Sequence, residues 1–203
     1  MRELRPDLAH IAELINANAR VLDLGCGEGD LLAYLQKNKS VNGYGLDVDP
    51  ENISTCLKKG VNVIEQNLDD GLANFPDSSF DMVVMTETLQ SVRSPHHLLR
   101  ELLRIGDECI VTFPNFGHWR CRFQLLGSGT MPVSKHLPHA WFDTPNIHLC
   151  TFHDFEALCR NLNLPIIQRR VVNSRYFESR LSRLWPNLLG TVAFYRLGRP
   201  NEN

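Results

Sequence analysis

The chain has 203 residues, of which 43% are apolar and 22% charged, and its formal net charge is −2. That length and apolar content suffice for a substantial core in one large domain, or a domain with an insertion, and they exclude a disordered chain. The charge is unevenly spread: residues 1–117 hold 10 Lys and Arg against 18 Asp and Glu, whereas residues 118–203 hold 11 against 5. The basic second part suits an acidic partner, but no basic run with interleaved aromatics accompanies it, which argues against nucleic acid.

In chain order, Leu4 to Ala17 places apolar residues at 4, 8, 11, 12, 14 and 15, close to the helical period. This predicts an amphipathic helix covering the sheet edge or a cofactor pocket. Val21 to Leu24 reads as a strand and runs directly into Gly25-Cys26-Gly27-Glu28-Gly29-Asp30, then into a helix, Leu31 to Lys39. Such a junction is a nucleotide-cofactor turn. Residues without Cβ let the backbone bend sharply, a ligand can lie against main-chain N–H groups, and the helix adds its positive end. Asp30 stands where a dinucleotide fingerprint needs its third glycine, so pyrophosphate binding is disfavoured. Asp23 is expected to accept N–H bonds that hold the turn, and Cys26 to contribute its backbone rather than its thiol.

Gly43 to Asp47 is a second strand ending in a carboxylate placed to grip both hydroxyls of a ribose. Asp49 and Pro50 supply the N-cap and first position of a helix, Pro50 to Lys58, that Gly60 stops. A third strand, Val61 to Glu65, leads to Asn67-Leu68-Asp69. Met82 to Met85 is a continuous apolar run, as expected of a strand buried on both faces, and Thr86-Glu87-Thr88 follows it. Ser94-Pro95 opens a helix whose leucines at 98, 99, 102 and 103 face inward, and Glu108 to Phe113 is the fifth strand. Strands alternating with helices predict a parallel sheet with right-handed crossovers. Ligands then bind outside the strand carboxyl ends, where the strand order reverses.

Residues 114–150 stand apart, with Pro114-Asn115-Phe116-Gly117-His118-Trp119, His136 and Trp141-Phe142-Asp143-Thr144-Pro145-Asn146-Ile147-His148 making them rich in aromatics, prolines and histidines. A loop of this length is uncommon without a task or its own structure. Two readings compete, a substrate lid and a docking surface anchored by Trp119 and Trp141. Residues 151–203 close the domain: Thr151 and Asp154 form a capping box for a helix, Phe152 to Asn161, and Ile166 to Val172 and Leu189 to Leu197 read as an antiparallel pair of strands. Tyr176 to Pro186, between them, is expected to be partly helical. Arg169, Arg170, Arg175, Arg180 and Arg183 read as a solvated face that a partner could also use.

Six cysteines, at 26, 56, 109, 121, 150 and 159, form no C-x-x-C pair and no metal-ligand spacing, and no signal peptide or membrane-length apolar run is present. A cytoplasmic, reduced protein that binds no metal and enters no membrane is expected.

The strand, glycine turn, helix, strand and acid of residues 20–113 resemble the class I S-adenosylmethionine-dependent methyltransferases. The likeness implies a Rossmann-like α/β fold with a mostly parallel seven-stranded sheet, helices on both faces and an antiparallel C-terminal strand pair. It also implies that S-adenosylmethionine or S-adenosylhomocysteine is held by Asp23, Gly25, Cys26, Gly27, Gly29, Asp47, Val48, Asn67, Leu68 and Asp69. The glycine turn would hold the methionyl end, Asp47 the ribose, and residues 67–69 the adenine.

Including Pro114 to Gly117 and Trp141 to His148, nearly the whole chain resembles the MetW family of methionine biosynthesis proteins. That likeness implies a partner, a homoserine O-acyltransferase of succinyl- or acetyl-transferring type that needs this protein for activity, with no established methyl acceptor. The alternative is a methyltransferase acting on a small metabolite. His118, His148 and Glu87 are the candidate bases for it, although such a residue is more often structural than catalytic, while Asn115, Trp119, Trp141 and His148 would meet partner or substrate. No Asp/Asn-Pro-Pro-aromatic sequence follows the fourth strand, so the usual feature of base-amino methylation is missing.

Overall fold

The computed structural model describes residues 4–134, 137–172 and 180–200. His136, Arg175 and the first part of Tyr176 to Pro186 lie outside them. The elements run α1 (Pro6–Leu14), β1 (Arg20–Leu24), α2 (Asp30–Lys39), β2 (Asn42–Asp47), α3 (Pro50–Lys58), β3 (Asn62–Glu65), β4 (Phe80–Thr86), α4 (Pro95–Ile105) and β5 (Gly106–Pro114). They continue with α5 (Trp119–Ser128), α6 (Phe152–Asn161), β6 (Ile166–Val172), α7 (Arg180–Leu184), α8 (Pro186–Leu189) and β7 (Val192–Gly198).

One seven-stranded sheet has the order β3-β2-β1-β4-β5-β7-β6. β1 to β5 pair in parallel, and β7 runs antiparallel to both β5 and β6. Its strands separate two cores by the alternation of side chains. Val21, Met82, Val84, Ile110 and Phe194 face α1, α2 and Cys56 of α3. Leu22, Leu24, Val83, Met85, Val111, Phe113 and Tyr195 face α4 and α6. The leading helix is shorter than Leu4 to Ala17 and packs across one sheet face, where His10 meets Phe194 edge-on, rather than on a sheet edge. Lys39 Nζ donates to the carbonyls of Ala12 and Ile15, completing the C-terminal end of α1.

Local chemistry set the element starts. Asp49 accepts from Glu51 N at 2.9 Å above Pro50, and Thr151 and Asp154 make the reciprocal capping box of α6. α4 buries Leu98, Leu99, Leu102 and Leu103 as their spacing predicts. The last strand begins at Val192 rather than Leu189 because Pro186 starts the short helix α8, which takes Leu189 into its only turn. Within residues 114–150, a helix, α5, replaces part of the expected loop.

Candidate functional site

The sheet order reverses between β1 and β4, so the crevice for a ligand opens above these two strands. The turn after β1 enters it with Gly25, Gly27 and Gly29 all in the left-handed region, at φ 70°, 55° and 74°. Each glycine has a different neighbour. A Cβ on Gly25 would stand 2.5 Å from Thr88 Oγ1, one on Gly29 2.8 Å from Cys56 Sγ, and one on Gly27 would meet nothing within 4 Å. Gly25 and Gly29 are therefore required by protein packing, whereas Gly27 leaves an open cradle in the crevice.

The end of β2 holds the turn in place. Gly25 N and Cys26 N donate to Leu46 O at 2.8 and 3.0 Å. The Asp47 carboxylate accepts from Gly27 N at 2.8 Å, from Val48 N and Asp49 N at 2.9 Å, and from Asn52 Nδ2 at 3.3 Å. These bonds engage about all the acceptor sites that a carboxylate has. Asp23 does not do this work: among the described residues no hydrogen bond reaches its carboxylate, which corrects the sequence expectation. Asp23 is instead buried at 3% exposure, and burial, reinforced by the charge of Asp47, pushes its carboxyl up to about 7. Cys26 lies with its Sγ 3.9 Å from Cys56 Sγ, and burial raises the pKa of both thiols.

The third strand contributes less directly. Gln66 N donates to Asp47 O, joining the ends of β2 and β3. Asn67 Oδ1 accepts from Asp69 N at 3.0 Å and starts a 3₁₀ turn, Leu68–Asp70. Leu68 packs on the core, and Asp69 Oδ1 accepts from Arg93 N at 2.8 Å, so this carboxylate ties the loop after β3 to the loop after β4. Val48 is 58% exposed beside Asp47.

The loop after β4 completes the crevice. Glu87 has φ 51°, its N–H donates to Thr112 O at 3.0 Å, and its carbonyl accepts from Gln90 Nε2 at 2.6 Å. Among the described residues, Thr86 Oγ1 and Gln90 Oε1 are buried there without a hydrogen-bond partner. Gln90 O accepts from Ile147 N and His148 N at 2.9 and 3.0 Å, and His148 Nε2 lies 3.3 Å from Arg93 O. The far end of residues 114–150 thus lies on the loop after β4.

The other candidates from that segment part company. Asn115 is buried, donating to Asn187 O at 3.0 Å and Gly190 O at 2.7 Å and accepting from Gly117 N at 2.9 Å. It is a hub joining β5, α5 and α8, not a surface residue, which corrects its assignment to partner or substrate. His118 is also buried and N-caps α5, its Nδ1 accepting from Arg120 N at 3.3 Å. Trp119 is 39% exposed and Trp141 74%, the latter against Phe142. Sequence reasoning missed Thr88 and Cys56, which stand against Gly25 and Gly29 of the turn, and Gln90, which holds Glu87 and the end of residues 114–150 to the loop after β4; no local signal marks these contacts.

A sequence model of the family described as "Methionine biosynthesis protein MetW" matches residues 5–197. The chain belongs to the MetW family. It is 36% identical over 172 residues to the bifunctional methionine biosynthesis protein MetXA/MetW of Rhodopirellula baltica, a match that covers 80% of this chain and 28% of that protein. The chain spans less than half the length of the curated relatives it matches. Among solved structures, this MetW-family fold is similar to a SAM-dependent methyltransferase of Methanosarcina mazei, with TM-score 0.69, 19% identity and coverage of 99% and 100% of the two chains. It is also similar to one from Archaeoglobus fulgidus, with TM-score 0.69, 16% identity and coverage of 95% and 91%. The fold is the class I Rossmann-like methyltransferase fold. Among the described residues of this MetW-family chain, no helix is long and apolar enough to cross a membrane, and no three His, Cys, Asp or Glu side chains gather as metal ligands.

Proposed function

We propose that this MetW-family chain is the accessory subunit of a homoserine O-acyltransferase, succinyl- or acetyl-transferring, and that it binds S-adenosylmethionine or S-adenosylhomocysteine at the glycine turn. The observation that carries the partner is the relative in which a MetW-like part shares one polypeptide with a part named MetXA. The residues of the crevice fit the cofactor. The open cradle at Gly27 leaves room for a ligand against the main chain. Asp23, buried and without a hydrogen-bond donor, is suited to a cationic group, which would restore its charged state. Asp47 can take ribose hydroxyls in exchange for the Gly27 and Asn52 donors, with Val48 beside it and Asn67, Leu68 and Asp69 forming the adjoining loop.

When bound, the cofactor would supply an activated methyl group, or serve only as a signal. The chain's own residues favour the signal. His118 uses Nδ1 to cap α5 and His148 faces a backbone carbonyl, so the two candidate imidazoles have structural work. Since S-adenosylmethionine is made from methionine, a ligand with unequal affinity for free and partnered chain would shift complex formation and tie acylation to end-product supply. The test is an acyltransferase assay with and without the chain, titrated with S-adenosylmethionine. Activity that needs the chain and responds to the ligand is expected. Full activity without the chain removes the accessory role, and an unchanged rate and affinity across the titration remove the regulation. Transfer of labelled methyl into a cell-extract metabolite would establish the methyltransferase alternative, cytoplasmic in either case.

A further inference from the structure

Helix α5 is built the wrong way round for a helix of a lone domain. Of its ten residues only Cys121 is buried, while Trp119, Phe123 and Leu126, at i, i+4 and i+7, form one stripe that is 39%, 66% and 84% exposed. Helices this short are marginal by propensity and are normally held by packing of their apolar face. Here that face looks outward, and its rings already stack edge to face, Trp119 on Phe123 at 6.0 Å. The scaffold beneath is rigid: His118 caps the helix and the Asn115 hub fixes its entry.

Resting on the accessory-subunit reading above, we infer that the Trp119–Phe123–Leu126 stripe of α5 is the element that docks into the acyltransferase, in an apolar groove bordered by carboxylates. The charge pattern selects this occupant. α5 contains Arg120 and Arg122 and no acidic residue, and the Arg120 guanidinium lies over the Trp119 ring at 5.3 Å. A second copy of this chain would set one basic helix, without any acidic residue, against another, whereas an acidic rim pairs with it. Trp and Arg are the residue types that dominate interface energies, and a preorganised helix loses little freedom on docking. Leu184 and Trp185, at the junction of α7 and α8, are exposed as well, and Asn187 just beyond them contacts Gly117 and Asn115 ahead of α5.

Binding of the purified full-length chain to its cognate homoserine O-acyltransferase, measured by calorimetry, tests this. The combined variant Phe123→Glu, Leu126→Glu should bind about 30-fold or more weaker than the wild type. Leu126→Glu alone, at a site too exposed to disturb folding, should weaken binding at least tenfold, and the control Leu57→Glu on α3 should bind as the wild type does. Circular dichroism confirms the fold in each case. If the wild type binds and the α5 variants bind within threefold of it, the docking inference is overturned and the accessory reading stands. If the wild type does not bind at all, both fall. Light scattering that shows a dimer of the chain alone, broken by Leu126→Glu, would instead assign the stripe to a second copy and overturn the inference.

Discussion

Asp23, next to last in β1, is a buried carboxyl that no hydrogen bond reaches among the described residues, and this sets a pH dependence with a definite sign. Its carboxyl is raised to about 7 from the ordinary 3.8, so the folded chain binds its proton more tightly than the unfolded one. The contribution of Asp23 to stability is therefore fullest below about pH 4 and declines as pH rises to about 7, a cost on the order of 4 kcal/mol from this one group that is complete above that pH. Asp23→Asn should flatten the melting temperature between pH 4 and 7 and raise it at pH 8. A melting curve for this variant that still follows the wild-type pH profile would show that another group is responsible. Gly27 and Gly25 separate ligand from packing. Gly27→Ala, in open space, should lose only the left-handed penalty of roughly 1–2 kcal/mol yet abolish binding of S-adenosylhomocysteine in calorimetry. Gly25→Ala, facing Thr88 at 2.5 Å, should also destabilise by clash, measurable as a larger drop in urea midpoint.

Among the elements, α5 and the start of the segment after β5 hinge on one side chain. Asn115→Ala removes the donors to Asn187 O and Gly190 O and the acceptor of Gly117 N in a buried place. The expected loss is on the order of 3 kcal/mol in urea unfolding; an unchanged midpoint would return Asn115 to a surface role. Its burial was not legible in the sequence, because Pro114-Asn115-Phe116-Gly117 looks the same whether it faces a partner or plugs a corner. The elements from β1 to β5 were legible, since each carries a local cause: the glycine turn, the Asp49-Pro50 cap, the leucines of α4. α5 was not, because its apolar residues point out of the domain and its helical period serves no internal face. The site was legible in part: Gly25, Gly27 and Asp47 do meet, but Asp47 bonds the turn that Asp23 was expected to hold. That exchange depends on which of two adjacent strand ends lies nearer the amides, a three-dimensional fact with no local signature.

At the scale of the whole molecule, a ligand that binds only the folded chain should stabilise all of it. At a hundredfold excess over its Kd, S-adenosylhomocysteine should add about 2.7 kcal/mol, read as a rise in melting temperature, and Asp47→Ala should abolish the rise while also lowering the ligand-free value. A wild-type melting temperature indifferent to the ligand would rule the crevice out as its site. The same sheet that gathers the strand ends for this crevice also determines how the chain can assemble. β6 joins it only through β7, which comes later in the sequence yet lies between β5 and β6. During synthesis, β5 therefore waits with an open, apolar edge until Val192 and the residues after it leave the ribosome. A translational stall before that point leaves a nascent chain with an unpaired edge next to a hydrophobic face, the kind of species that chaperones capture and that otherwise aggregates.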